Sequence, residues 1–296
     1  MCGEGLIRMN RVAVVTDSVA CLPPDLTALY GTHVIPVRIN VEGAEYRDTC
    51  EELPASLIRK FQETQSIDTT PWPPEHYCRQ YEEISRVTRE IVHVVAFSRF
   101  TSTISLAKAG AAMAQSAVAG LRVDVFDSAA TTSAQGFVAL EASRAAAEGK
   151  NIDEVLLVAQ KVRDSVSAFF TFDTLRYLAR TGRIHHLAGW GASLLNVRPV
   201  IGLMHGRERP VALARTKDAA SHKLCELVCS AAAHDSPLHV AVMESGQQKE
   251  AENLLGAIRR RVHPVESMII RVSPVTQIVA GPGLLGVAFY SPDELR

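Results

Sequence analysis

Two clusters of hydroxyl side chains mark the places in this sequence where chemistry could be done. Thr69 and Thr70 precede Pro71 ahead of a helix, and Ser98, Thr101, Ser102 and Thr103 follow an apolar run where a buried strand passes into a helix. Hydroxyls at such positions cap free helix N–H groups, worth about 1 kcal/mol each. Two clusters at the same edge of one sheet, beside a helix N-terminus, can also hold a carboxylate or a phosphate without an arginine. Both uses stay open on the sequence. An acid-hydroxyl pair recurs as Asp17-Ser18 and Asp127-Ser128, after two further strands. It can shape and cap turns, or it can serve acid–base catalysis or a magnesium ion in a phosphatase or hydrolase. Neither loop carries a histidine or lysine to complete a mechanism, so the structural use is preferred and no catalytic residue and no metal ligand is assigned.

Other chemistries lack their residues. Thr16-Asp17-Ser18-Val19-Ala20-Cys21 has none of the glycines that admit a dinucleotide pyrophosphate, and neither a phosphate-binding GxxxxGK[ST] loop nor a GxSxG nucleophile elbow occurs. No cofactor is expected. The six cysteines have no paired CxxC spacing. Cys225 and Cys229, four apart on an expected helix, are read as buried apolar residues.

The elements that must position these residues alternate through the first half. Arg11–Thr16 reads as a strand, followed by a helix opening at Pro23-Pro24-Asp25. His33–Val41 reads as a second strand, with helices at about 53–62 and 74–88, and Ile91–Phe97 as a third, doubly buried strand. The alanine-rich stretch from Thr101 to Val118 favours helix, and Arg122–Phe126 is the next strand. This order predicts an α/β domain over 11–164: a mostly parallel sheet with helices on both faces, and ligands at the loops leaving the strands' carboxyl ends. Helices follow at 129–148 and 152–163. A second α/β domain over 165–296 is expected, two-layered, with strands near 165–171, 197–203, 210–214, 239–243, 265–272 and 284–290. Its short turns imply a mixed or antiparallel sheet, backed by helices 218–233 and 247–261.

At 296 residues with 47% hydrophobic side chains, the chain can bury the cores of two medium domains. A net charge of -1 removes the electrostatic argument for nucleic acid. The apolar runs are too short to cross a bilayer, and the opening MCGEGLIRMN lacks a signal-peptide core, so a cytoplasmic location is expected. One local basic cluster stands out: Arg176, Arg180, Arg183 and Arg198, flanked by His185 and His186. It is either a solvated face or a docking patch for an acidic partner.

From Val12 to Tyr290 the sequence resembles the DegV proteins. The segments that carry the likeness are Thr16-Asp17-Ser18 with Leu22-Pro23, Thr69-Thr70-Pro71, Ser98 to Thr103, and Asp127-Ser128 followed by Gly136. The strongest runs from Thr174-Leu175-Arg176-Tyr177-Leu178 through Gly182-Arg183-Ile184 to Leu194-Leu195-Asn196-Val197-Arg198-Pro199-Val200, and Gly281-Pro282-Gly283 closes the set. The resemblance implies a binding protein rather than an enzyme. It implies that one long-chain fatty acid is held by its carboxylate between the hydroxyl loops, at Thr69 and Thr101, with Thr70, Ser98 and Ser102 nearby. It further implies a carrier role in lipid metabolism, in which the carboxylate is presented to a fatty-acid kinase that makes an acyl phosphate, with passing contact to a membrane surface. A lipid sensor that changes partner on ligand binding is the other non-enzyme reading. Departures from the family pattern are Thr69-Thr70-Pro71-Trp72 in place of Thr-Ser-Gln-Pro, Thr101-Ser102-Thr103 in place of Ser-Gly-Thr, and Val279 where many relatives have histidine. An apolar slot between domains must take the acyl chain; the candidates are Phe169, Phe170, Phe172, Leu194, Leu195 and Ile201, with the arginine cluster as the kinase dock.

Overall fold

A computed structural model describes residues 11–49, 55–64, 67–183, 197–232 and 237–291. The first expected strand forms as β1 (Val12–Asp17), buried along its whole length. It pairs in parallel with β2 (His33–Ile35) on one side and β6 (Glu90–Val95) on the other, and β7 (Arg122–Asp127) extends the sheet beyond β6. The strand order β2-β1-β6-β7 places a topological switch point between β1 and β6, where loops diverge and leave a crevice at the carboxyl ends.

The second strand is not the single run His33–Val41. Pro36 interrupts it, because a proline has no N–H to give a sheet ladder. Its carbonyl accepts the Trp72 indole N–H at 2.7 Å. The chain leaves the parallel sheet there and builds a small antiparallel one from β3 (Arg38–Val41), β4 (Ala44–Arg47) and β5 (Ile67–Asp68).

The second sheet has the order β10-β9-β8-β13-β11-β12, formed by β8 (Ser167–Thr171), β9 (Arg198–Met204), β10 (Arg207–Ala214), β11 (His239–Glu244), β12 (Glu266–Arg271) and β13 (Leu285–Tyr290). Every neighbouring pair is antiparallel except β11 and β12, so the sheet is mixed as expected.

Strand alternation explains how the layers stack. In β1, Ala13 and Val15 pack with Tyr77, Tyr81, Ala107 and Ala111 of helices α3 (Pro74–Ile84) and α4 (Thr103–Ala117). Val12 and Val14 face the other way, toward helices α5 (Thr132–Ala147) and α6 (Ile152–Ser165). The same core continues through α5 to Ala168, Phe170, Met243 and Tyr290 on the inner face of the second sheet. Helices α8 (Lys217–Ala231) and α9 (Gln248–Arg261) cover that sheet's outer face. Helix α5 is therefore shared by both sheets, which accounts for its alanine-rich sequence with no polar stripe: a helix packed on all sides needs small apolar residues all round. Cys225, as read, is buried in the outer core, with Cys229 half-buried beside it on α8.

Candidate functional site

A cavity between the two larger sheets opens at the switch point. Its empty space is about 1260 Å³ including the open mouth, the scale of pockets that take small organic ligands. Its walls are the ends of β1 and β6, the inner face of β8 and β9, and a short helix α10 (Pro274–Ala280).

One end is polar. The Thr101 and Thr103 hydroxyls lie 2.8 Å apart, and Thr101 Oγ1 also accepts the Thr103 N–H at 3.2 Å. Thr101 thus does the capping that a hydroxyl before a helix is suited for, and still lines the cavity. Thr103 bonds in turn to the Tyr77 hydroxyl, whose pKa burial raises. Thr69, which also lines the cavity, accepts a hydrogen bond at Oγ1 from Arg183 Nη2 at 2.9 Å. Arg183 reaches this place through local chain chemistry. Helix α7 (Arg176–Arg180) ends at Gly182, with φ 69°, where the Arg183 N–H returns to the Leu178 carbonyl and the Gly182 N–H to that of Ala179. That pair of bonds is a Schellman turn. Burial lowers the Arg183 pKa, and among the described residues no carboxylate lies within ion-pair distance of it.

Asp17 also lines the cavity, buried, accepting the Val19 N–H at 3.0 Å and the Ala96 N–H at 3.2 Å. Desolvation outweighs these bonds and raises its pKa to about 6. Asp127 is elsewhere. Its carboxylate accepts the Ser98 and Ala129 N–H groups and does not line the cavity. β6 separates the strands that carry the two acids, so they are not neighbours, and about 10 Å of sheet lies between their strands. Among the described residues no three His, Cys, Asp or Glu side chains converge as a metal-binding group.

Other site residues sort by strand and turn register. Phe170, Phe172, Ile201 and Val279 line the cavity. Phe169 does not: it alternates to the outer face of β8 and stacks on Phe289 at 5.9 Å. Thr70 turns away to bond Asp68, and Ser98 and Ser102 are exposed outside the cavity. Leu194 and Leu195 lie outside the described residues, as do His185 and His186. The four arginines do not form one outward face. Arg183 lines the cavity, Arg180 donates to the Thr64 carbonyl at 3.0 Å, and Arg198 pairs with Asp173. Only Arg176 is exposed.

Sequence reading missed Tyr77, Leu203 and, in the α10 wall, Val275 and Ala280, whereas Thr103 and Val279, both singled out in the sequence, line the cavity. The signal for α10 was present in Ser273-Pro274, where Ser273 Oγ accepts the Thr276 N–H and proline opens the first turn. Asp48 anchors this helix. Its carboxylate accepts the Val275 N–H at 3.0 Å and the Ser18 hydroxyl at 2.5 Å, while Ser18 Oγ accepts the Val37 N–H. Burial raises the Asp48 pKa to about 6. A carboxyl whose folded pKa lies above its unfolded value contributes stability that is full below about 3.8 and lost as pH rises through about 6. Asp48→Asn imitates the protonated form at every pH. Denaturant unfolding at pH 7 and pH 4.5 should therefore show the wild-type chain gaining about 1–3 kcal/mol on the variant at the lower pH. A stability gap that does not change with pH would show that Asp48 does not carry this burden.

A family model described as "uncharacterised protein, DegV family" matches residues 11–292. The chain belongs to the DegV family. A DegV domain-containing protein of Streptomyces coelicolor is 30% identical, over 95% of this chain and 99% of its own length. Among solved structures, a DegV family protein of Thermus thermophilus, described as fatty-acid binding, aligns with a TM-score of 0.86 at 27% identity. It covers 95% of this chain and 99% of its own. DegV of Bacillus subtilis, described as a fatty acid binding protein, aligns at 0.83 and 26% identity, covering 95% and 99%.

Two of the segments that carry the DegV likeness meet in space. A Cβ on Gly281 would stand 2.1 Å from the Tyr177 ring, and one on Gly283 would stand 2.2 Å from the Asp173 carboxyl carbon. The Gly281-Pro282-Gly283 turn is thus the floor on which the segment around Tyr177 rests. Asp173 is fixed there by Arg198 and by Lys217 at 3.3 Å. The DegV turn and the segment leading to Arg183 position one another beside the cavity.

Proposed function

We propose that this DegV protein binds one long-chain fatty acid in the cavity between the two larger sheets, with the carboxylate at Thr69, Thr101 and Arg183 and the acyl chain along Phe170, Phe172, Ile201 and Val279. The observation that carries this reading is a mostly apolar cavity lined by threonine hydroxyls, among them Thr69 and Thr101, with Arg183 bonded to Thr69 as the cation of its described lining. A desolvated guanidinium with no acidic partner among the described residues suits an incoming carboxylate, which supplies the missing charge. Burial of roughly a dozen methylenes at about 0.8 kcal/mol each supplies the affinity, less the costs of association. The fatty-acid-binding relatives of similar fold support the choice of ligand. Thr69, Thr101 and Arg183 are all half-buried rather than sealed. The carboxylate would then remain within reach of a second protein, and we assign that role to a fatty-acid kinase that phosphorylates it, this chain being the carrier and not itself an enzyme.

Thr69→Ala tests the head-group assignment. The threonine hydroxyl holds Arg183 and would donate to the ligand, so its loss should weaken oleate binding about five- to tenfold, by the roughly 1 kcal/mol net worth of one ordinary hydrogen bond. The melting temperature of the ligand-free protein should stay near that of the wild type. Unchanged oleate affinity by titration calorimetry would remove Thr69 from the site.

A further inference from the structure

The inner wall of the cavity has an uneven back. Phe170 of β8 sits between Ile201 on β9 and Gly286 on β13 in the sheet register. Phe170 and Ile201 line the cavity; Gly286 and the fully buried Met243 do not. The Phe170 ring leans over Gly286. A Cβ built on that glycine would stand 2.7 Å from Phe170 Cδ1 and 3.2 Å from Met243 Cε, and 3.0 Å from the Phe169 carbonyl oxygen. The missing side chain leaves a notch that the ring fills, with Met243 on the far side of Gly286 in the register.

We infer that Phe170, seated in the Gly286 notch, is the gauge that sets which acyl chains this cavity accepts. This rests on the fatty-acid reading of the cavity. Carbon atoms closer than about 3.4 Å repel, and the Phe169 carbonyl, on β8 beside the ring, cannot yield as a side chain can. A methyl group at 286 must therefore move the ring, and the open direction is away from β13 into the cavity. Removing the ring does the reverse, opening to the cavity the space it fills over Gly286. One residue that lines the site and one that never touches it would thus control the same dimension.

The test uses the full chain, stripped of lipid and offered an equimolar mixture of saturated fatty acids from twelve to twenty carbons, with the bound species read by native mass spectrometry. Gly286→Ala should shift the bound distribution toward shorter chains, disfavouring an eighteen-carbon relative to a fourteen-carbon acid on the order of five- to tenfold, as expected for losing space for one or two methylenes. Phe170→Leu should shift it toward longer chains. The double variant should return toward the wild-type distribution, because the alanine then has no ring to displace; a merely structural effect of Gly286→Ala would not be reversed this way. If Gly286→Ala does not fold, Phe170→Leu alone decides. An unchanged length distribution in variants that still bind fatty acid overturns the gauge and leaves the binding function standing. A wild-type chain that takes none of the acids overturns the binding function itself, and the gauge with it.

Discussion

Arg183→Met is expected to weaken the binding of an eighteen-carbon fatty acid about thirty- to one-hundred-and-fifty-fold, the equivalent of about 2–3 kcal/mol for a charge-assisted hydrogen bond in a partly desolvated site. The argument has two halves. In the ligand-free protein the guanidinium is half-buried, holds the Thr69 hydroxyl at 2.9 Å, and has no carboxylate within ion-pair distance among the described residues. Burial therefore works against its charge, as its lowered pKa records. In the complex, the ligand carboxylate supplies the compensating charge. The cost of burying the cation is thus met by the ligand rather than by the fold, and methionine should leave the ligand-free protein as stable as before or slightly more so. The gain in melting temperature on adding saturating oleate should shrink in the variant, since ligand stabilisation scales with the logarithm of concentration over Kd. A variant that binds oleate normally but unfolds early would make Arg183 a structural residue.

Gly281→Ala is expected to destabilise the protein by about 2–4 kcal/mol, from backbone strain and overpacking together. Gly281 has φ 80° and ψ 176°, a region that only glycine occupies without strain. Its Cβ would also stand 2.1 Å from the Tyr177 ring. The two contributions can be separated. Tyr177→Ala in the same chain should recover the packing part and leave the backbone part, so the double variant should be more stable than the sum of the two single losses. Thermal or urea unfolding of the four proteins measures this. Strict additivity would mean that the glycine turn and the tyrosine do not bear on each other in solution.

How far the sequence reveals this site depends on the kind of information each residue carries. Strand and helix alternation placed the Thr101 loop after β6, because short apolar runs followed by polar turn residues define where strands end; the Thr69 loop, expected at the same sheet edge, instead follows β5 of the separate antiparallel sheet and lines the cavity from there. The split at Pro36 was also written in the chain, since a proline cannot continue a central ladder, but its consequence, a separate three-stranded sheet, depends on distant Ile67–Asp68. Phe169, Phe170 and Phe172 show the limit well. Alternation puts Phe170 and Phe172 on one face and Phe169 on the other, but only the packing of α5 against one side of the sheet decides which face is inside. Arg183 was grouped with Arg176, Arg180 and Arg198 because charge is read from composition, while its inward course is set by the turn at Gly182. Tyr77 gave no sequence signal as a site residue: it is an ordinary helix residue until α3 packs beside β1.

The central claim, that this chain is a fatty-acid carrier, is tested most directly by native mass spectrometry of the intact purified protein, followed by denaturing extraction of whatever it releases. The account predicts one fatty acid per chain, either co-purified or taken up from added oleate or palmitate, with lower occupancy in Arg183→Met at the same limiting ligand concentration. A chain that emerges empty and takes up neither acid at concentrations well above those of a specific site would contradict it.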